Sequence, residues 1–234
     1  MKRALFYSNL SKSFFALVSF LFLFTPLWGQ DEEAGQTPFF REDQWYLGAS
    51  FMILQTKETA FKPQGLSRHF QWGFIRDIPL TSNGKLATGI GLGMSFERYT
   101  TNFSRVAEGV GKFHYTIADQ PAAPLFFSTH ALELPLSFRW RNATPDDFAF
   151  WRVYGGVSLR WNYTTKIRQD ALEIKNSSDI QNLGAVANLS FGYNTWNFYI
   201  AYPLTPFFNE SFRNANQQPL DLNPIKIGLI FYIL

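Results

Sequence analysis

The sequence predicts an all-β fold: an eight-stranded antiparallel up-and-down transmembrane β-barrel. Three observations carry this prediction: apolar and polar residues alternate in long segments, there are eight such segments, and the connections between them alternate in length. A period of two is typical of β-strands. An even strand number, with short turns on one rim and long loops on the other, is typical of bacterial outer-membrane barrels.

The hairpin from His130 to Thr164 shows the clearest alternation. One face of its first arm is apolar and the other carries charge. In a soluble sandwich the charged face would lie outside, whereas in a membrane barrel it would line the lumen. The apolar face of this arm comprises Leu132, Leu134, Leu136, Phe138 and Trp140, and the opposite face comprises Glu133, Pro135, Ser137, Arg139 and Arg141.

The spacing of all eight segments decides between these alternatives. Short connections follow the second, fourth and sixth strands, and long ones follow the first, third, fifth and seventh. A soluble up-and-down barrel has no physical reason to place every long loop on one rim, so the pattern favours the membrane barrel. The predicted strands are 45–55, 68–78, 85–99, 130–141, 151–164, 182–194, 196–205 and 224–234, within a barrel domain of residues 45–234.

The N-terminal segment has the layout of a secretory signal peptide. Lys2, Arg3 and Lys12 precede the apolar run at 14–24, which is too short for a comfortable transmembrane helix. We expect cleavage after Gly29, so that residues 1–29 are the signal peptide and residues 30–44 form a periplasmic lead-in. An uncleaved anchor is the alternative interpretation.

Composition excludes several classes of function. A net charge of +3 is too small to indicate a nucleic-acid partner. The absence of cysteine excludes disulfides, thiolate metal sites and cysteine nucleophiles. The aromatic content is 18%, with 26 Phe, yet the mean hydropathy is only -0.12, as expected when half of each strand is polar.

Several stretches resemble the PorT-like outer-membrane β-barrel family of Bacteroidota. The resemblance implies an eight-stranded barrel in the outer membrane of a diderm bacterium. Some members of that family are associated with type IX protein secretion and gliding motility. The matching stretches are FREDQWYLG (40–48), GFIRDIPL (73–80), HALELPLSFRWR (130–141), FWRVYGG (150–156), LSFGYNTWNFY (189–199) and IKIGLIFYIL (225–234).

Outward apolar faces would turn a set of charged residues into the lumen. An eight-stranded barrel is just wide enough for side chains to fill it, and charges there must pair because an isolated buried charge is very costly. We therefore expect a salt-bridge network that plugs the barrel, with a switchable gate as the alternative. The predicted network comprises Glu97, Glu133, Arg139, Arg160 and Lys226, with Asp77 near a rim.

No catalytic, cofactor or metal site is predicted. Ser128 and His130 share a strand face and could suggest a lipid-modifying enzyme, but Glu133 has the wrong parity to orient the histidine. His69 and His114 have no partners at metal-ligand spacing.

Two long loops, at 100–125 and 204–223, are rich in apolar residues. Such groups at the outer rim would either contact a partner protein or lipopolysaccharide, or fold over the barrel mouth as a lid. The residues concerned include Phe103, Phe113, Tyr115, Phe207, Phe208 and Phe212.

Together these features predict a non-enzymatic scaffold, or an accessory component of an outer-membrane assembly such as type IX secretion. A narrow porin or small-solute transporter is the alternative, followed by a lipid-modifying enzyme. The expected partners are outer-membrane lipid, lipopolysaccharide and other outer-membrane or secretion-system proteins, with no nucleic acid.

Overall fold

A computed structural model of the chain describes residues 42–109, 112–118, 124–142 and 150–233. The predicted signal peptide at 1–29 and most of the predicted lead-in at 30–44 lie outside these residues. The described part contains eleven β-strands: Gln44–Gln55 (β1), Arg68–Pro79 (β2), Leu86–Thr101 (β3), Phe103–Gly109 (β4), Lys112–Ile117 (β5), Leu125–Arg141 (β6), Trp151–Gln169 (β7), Leu172–Lys175 (β8), Leu183–Tyr193 (β9), Trp196–Pro203 (β10) and Asn223–Ile233 (β11).

Eight of these strands form a closed antiparallel barrel, which confirms the predicted fold class. The strand order is β6-β3-β2-β1-β11-β10-β9-β7, and pairing of β6 with β7 closes the ring. The short connections β2–β3, β6–β7 and β9–β10 share one rim with the start of β1 and the end of β11; we call it the turn rim. The four long connections share the other rim, the loop rim.

The strands are staggered around the barrel. A path that starts at Gln44 on β1 and moves from each residue to its cross-strand partner passes through Ile75, Ser158 and Val186. It returns to β1 at Leu54, ten residues further along the strand. A stagger of this kind tilts the strands by roughly 35–45° to the barrel axis. The wall is therefore closed, without a free strand edge in the ring.

Burial alternates along the strands, with polar residues inside and apolar residues outside. β1 alternates strictly between buried and exposed residues from Gln44 to Gln55. Its exposed side chains include Trp45 and Phe51, at 55% and 62% exposure. Around the ring the outward apolar belt continues with Trp72, Leu92, Leu136, Phe138, Leu159, Leu189, Phe191, Phe198, Ile200 and Ile227.

Two predicted loops contain additional strands, which corrects the loop boundaries. Within the predicted loop at 100–125, β4 and β5 form a hairpin. In the long connection between the predicted strands 151–164 and 182–194, the short β8 pairs with the extension of β7. Both hairpins extend beyond the barrel wall, where their stability depends on contacts between loops. Gly109, with a φ of 132°, ends β4 in a conformation that glycine adopts readily.

No helix among the described residues is long and apolar enough to cross a membrane.

Candidate functional site

The barrel interior is filled in layers from the turn rim to the loop rim. Nearest the turn rim lies the lower charge cluster of Glu42, Asp77, Arg139, Arg141 and Arg152. Above it lies the tyrosine layer of Tyr46, Tyr154, Tyr199 and Tyr232. The upper charge cluster of Glu97, Glu133, Arg160 and Lys226 follows. The aromatic cap closes the loop rim; its rings are Tyr99, Phe103, Tyr115, Phe127, Phe207, Phe208 and Phe212.

Glu97 is the centre of the upper charge cluster. Its Oε1 lies 2.7 Å from Nη1 of Arg160 and 2.5 Å from Nζ of Lys226. Its Oε2 accepts hydrogen bonds from the hydroxyls of Tyr99 and Thr129. Glu133 completes the cluster, 3.5 Å from Nε of Arg160, and accepts a hydrogen bond from Ser95. Two carboxylates thus face two cations, so the cluster is balanced in charge.

The lower charge cluster joins three arginines to two carboxylates. Asp77 lies 2.6 Å from Arg139 and 2.8 Å from Arg141. Glu42 lies 3.2 Å from Arg141 and 3.0 Å from Arg152. The guanidinium of Arg139 also donates to the side chain of Gln44 and packs over the ring of Tyr154, 4.1 Å from its centroid. At the turn rim, Asp77 thus connects β2 to β6, and Glu42, which precedes β1, connects to β6 and β7.

Tyr46 of the tyrosine layer packs over glycines of the neighbouring strands β2 and β3. The hydroxyl of Tyr46 lies so close to Gly73 and Gly93 that a Cβ at either position would overlap it. Tyr154 and Tyr232 contact edge to face, with ring centroids 5.2 Å apart. Interior glycines on β2 and β3 therefore provide the space in which the tyrosine rings fit.

Two small cavities lie among the described interior residues. One cavity, lined by Tyr46, Gln71, Tyr154 and neighbouring residues, measures about 30 Å³. A second, beneath Phe207 and beside Arg160, has a similar volume of about 30 Å³. A cavity of this size accommodates one or two water molecules. Between these cavities the interior is occupied by paired charges and aromatic rings.

The aromatic cap contains five of the six loop aromatic residues singled out in the sequence. Phe103, Tyr115 and Phe212 are fully buried, and Phe207 and Phe208 are 8% and 5% exposed. The rings of Phe208 and Phe212 stack with centroids 3.7 Å apart. A hydrogen bond of 2.7 Å from the Tyr115 hydroxyl to Asp179 ties the β4–β5 hairpin to the loop after β8.

Phe113 differs from the other five loop residues singled out in the sequence. It is 39% exposed, on the outer face of the β4–β5 hairpin. The guanidinium of Arg105 lies over its ring, 3.4 Å from the centroid. Phe113 is therefore the aromatic residue of this set that remains accessible to a partner.

The Ser128 and His130 pair does not form a catalytic arrangement with Glu133. His130 lies on the outer face, between the rings of Phe96 and Tyr163 at 4.9 and 6.2 Å, whereas Glu133 points into the barrel. His69 is buried in the interior, and His114 pairs with Glu108 at 2.8 Å. In the described ranges no group of three or more acidic, histidine or cysteine residues could hold a metal ion.

Sequence reasoning did not identify Glu42 and Arg152 as interior charges. Arg152 shares the strand parity of Arg160, and this signal would have been sufficient. Glu42 precedes β1 and belongs to no alternating segment, so only its contacts with Arg141 and Arg152 reveal its position.

No protein-family model and no curated protein matches the chain. Among solved structures, the chain is similar to Ail, the attachment invasion locus protein of Yersinia pestis, in complex with the heparin analogue sucrose octasulfate. That comparison has 11% identity and a TM-score of 0.38, covering 82% of this chain and 99% of Ail. A second Ail structure gives 9% identity and a TM-score of 0.36, with 82% and 97% covered. The fold assignment rests on the strand pairing itself.

Proposed function

We propose that this protein is an integral outer-membrane β-barrel that acts as a non-enzymatic, non-conducting scaffold. The observation that carries the proposal is the inverted burial of the barrel: charged residues are inside and paired, while large apolar residues cover the outside. Phe51, Phe198 and Trp196 are 60% or more exposed. An apolar belt of this extent is unfavourable in water and favourable in the hydrocarbon core of a bilayer.

The closed wall supports the membrane assignment. In hydrocarbon every backbone N–H and C=O group needs a partner, and a closed barrel provides these without a free edge. Barrels with short turns on one rim and long loops on the other are typical of bacterial outer membranes, with the turns in the periplasm. Membrane lipid and lipopolysaccharide are then the immediate surroundings of the belt.

The filled interior favours a scaffold over a narrow porin. A porin needs a continuous aqueous path, whereas here two charge clusters, a tyrosine layer and an aromatic cap occupy the axis. Moving a buried, paired charge aside leaves its partner uncompensated, which costs several kcal/mol. An ion crossing the barrel would have to separate both clusters in turn.

Planar-bilayer recording of the purified full-length protein tests this proposal. We expect insertion without large steady channels. Insertion is monitored independently by heat-dependent gel mobility and by protease protection in vesicles. Failure to insert would refute the membrane assignment, and steady conductance after insertion would instead support the porin alternative.

A finer role follows from the resemblance to the PorT-like family: an accessory component of an outer-membrane assembly such as type IX secretion. The exposed Phe113 face of the β4–β5 hairpin is a surface on which another outer-membrane or secretion-system protein could dock. Crosslinking of the tagged protein in native membranes, followed by mass spectrometry, tests this role. Recovery of the lone monomer after crosslinking counts against it.

The enzyme alternative is tested separately with Ser128→Ala and His130→Ala. Because His130 lies on the outer face and away from Glu133, we expect neither variant to alter the acylation of lipid A. A change in lipid A composition with either variant would contradict the non-enzymatic assignment.

A further inference from the structure

A band of cations lies on the outer face of one half of the barrel, at its loop-rim end. We call the set Arg68, Arg98, Lys166, Arg168 and Lys175 the basic band. These residues belong to β2, β3, β7 and β8. Each barrel-strand member follows the outward parity of its strand, because its neighbours Ser67, His69, Glu97, Tyr99, Thr165 and Ile167 are buried.

Members of the basic band stand directly opposite each other in the sheet. Arg68 is the cross-strand partner of Arg98, and Lys166 is the partner of Lys175. Like charges placed opposite each other on neighbouring strands are destabilising unless an anion lies between them. Two such pairs in one band therefore indicate a ligand with more than one negative group.

Carboxylates of the chain neutralise this band only in part. Within the described residues, Arg68, Arg98, Lys166 and Arg168 have no carboxylate oxygen within 4.0 Å. Glu173 is the cross-strand partner of Arg168, and its carboxylate pairs with Lys175 at 3.6 Å. The contrast with the interior is marked, because Arg139, Arg152, Arg160 and Lys226 each contact a carboxylate there. The chain thus pairs its buried cations, whereas four of the five outer cations form no ion pair with a described residue and are available to an external anion.

The position of the band identifies the kind of ligand. One step closer to the turn rim on the same strands lie the outward aromatic residues Phe70, Phe96 and Tyr163. A ligand held by the band would therefore place any hydrocarbon chains against the apolar belt. The guanidinium of Arg98 is held at this level by stacking on Phe126, 4.6 Å from the ring centroid.

Among the described residues, the opposite half of the barrel shows no such band. There the outward residues near the loop-rim ends of the strands include Ile53, Leu183 and Leu204, each more than half exposed, and β1 ends on the uncharged Gln55. The outward cations of the described strands near the loop rim are therefore concentrated on one half of the barrel. Arginine guanidinium groups bind phosphate oxygens in a bidentate manner.

We propose that the basic band binds the phosphate groups of a phosphorylated lipid in the leaflet on the loop-rim side. This inference rests on the proposed membrane location and adds a lipid class and a binding surface to it. In the outer membrane, such a lipid corresponds to the phosphorylated glycolipid part of lipopolysaccharide.

Native mass spectrometry of the full-length protein in neutral detergent tests the proposal. The probes are bisphosphorylated lipid A and the same lipid after enzymatic removal of its phosphates. The test variant is Arg98→Gln with Lys166→Gln. The matched control is Lys57→Gln with Arg76→Gln, which removes two exposed cations outside the band.

For the unmodified protein and the control, we expect preferential binding of the phosphorylated lipid. For the test variant we expect its affinity to fall by about tenfold or more, since each lost charge-assisted hydrogen bond weakens binding substantially. Equal binding of both lipids would overturn the proposal. An equal loss of affinity in the control variant would also overturn it. Full displacement of lipid A by millimolar inorganic phosphate would also overturn it, because the band would then be a general anion site.

The two proposals fail in distinguishable ways. Insertion into neutral phosphatidylcholine vesicles requires only the apolar belt, so its loss would refute the membrane assignment. Normal insertion without a preference for phosphorylated lipid would refute the basic band alone.

Discussion

Glu97 on β3 and Lys226 on β11 form an ion pair across the barrel interior, with Nζ 2.5 Å from Oε1. Two strands, β2 and β1, separate them in the wall. Both side chains are almost completely buried, at 0% and 3% exposure. The pair therefore links two parts of the wall that have no backbone hydrogen bond in common.

Replacing Glu97 with Gln should destabilise the barrel strongly. The substitution keeps the shape but leaves Lys226 without a carboxylate within salt-bridge distance and Arg160 with Glu133 alone; breaking a buried pair typically costs about 3–5 kcal/mol. Urea unfolding in vesicles measures the loss. Glu210→Gln is the control, because Glu210 is 93% exposed and its ion pair with Arg213 is long, at 3.9 Å.

The double variant Glu97→Gln with Lys226→Met refines this test. It removes the ammonium group of Lys226, which the single variant leaves buried without a carboxylate. The double variant should therefore unfold at a higher urea concentration than Glu97→Gln alone. If the two substitutions destabilise additively, the pair is not coupled in the way its geometry indicates.

Replacing Gly93 with Ala should disturb the tyrosine layer. The new methyl group would overlap the hydroxyl of Tyr46, and overpacking of this kind costs about 1–3 kcal/mol. Gly155→Ala is the matched control, because its nearest side-chain atom would lie 3.6 Å away. Adding Tyr46→Phe to Gly93→Ala should restore part of the stability, and equal unfolding midpoints for the two glycine variants would contradict the packing described here.

Replacing Phe198 with Arg separates a membrane barrel from a soluble one. Phe198 is 60% exposed on the outer face of β10, and Leu66 is 59% exposed in the β1–β2 loop. In a bilayer, Phe198→Arg should cost about 2–4 kcal/mol, while Leu66→Arg should be nearly neutral. The measurement is the fraction of protein folded in vesicles as a function of urea concentration. Equal effects at both positions would mean that the belt does not face lipid.

The aromatic cap should loosen at high pH. Burial, followed by the hydrogen bond to Asp179, raises the pKa of Tyr115 well above its ordinary value of 10.0. The folded cap favours the neutral phenol, so its contribution to stability is complete below about pH 10 and decreases as the pH rises further. Limited proteolysis of the loops between pH 8 and 11.5 measures this. Tyr115→Phe should remove much of the pH dependence, while being more protease-sensitive at pH 8.

The wall of the barrel was predictable because each strand repeats the same local rule. Alternation and connection length are properties of neighbouring residues, and they identify all eight barrel strands in the sequence. The inward direction of Glu97 and Lys226 also follows from parity alone. Which carboxylate meets which cation does not follow, because these contacts join strands far apart in the chain.

Three features had no local signal. The β4–β5 hairpin was predicted as loop because its stability comes from contacts with distant loops, including the backbone bond from Tyr115 to Arg213. Glu42 precedes the first alternating segment. A bulge between His130 and Ala131 in the β6–β7 pairing shifts the parity of β7, so that Thr165 and Ile167 face inward.

The interior ion pairs have a consequence for how the ring of strands closes. β1 and β11 form the last seam, and a slip of one residue there would turn every apolar side chain to the wrong face. A slip of two residues would return the apolar side chains to the outer face, so burial of apolar surface would not disfavour it. It would, however, carry Lys226 about 7 Å along the wall from Glu97. The charge clusters thus distinguish the correct β1–β11 register from the nearest wrong register that keeps the apolar pattern. The apolar outer surface alone cannot make this distinction.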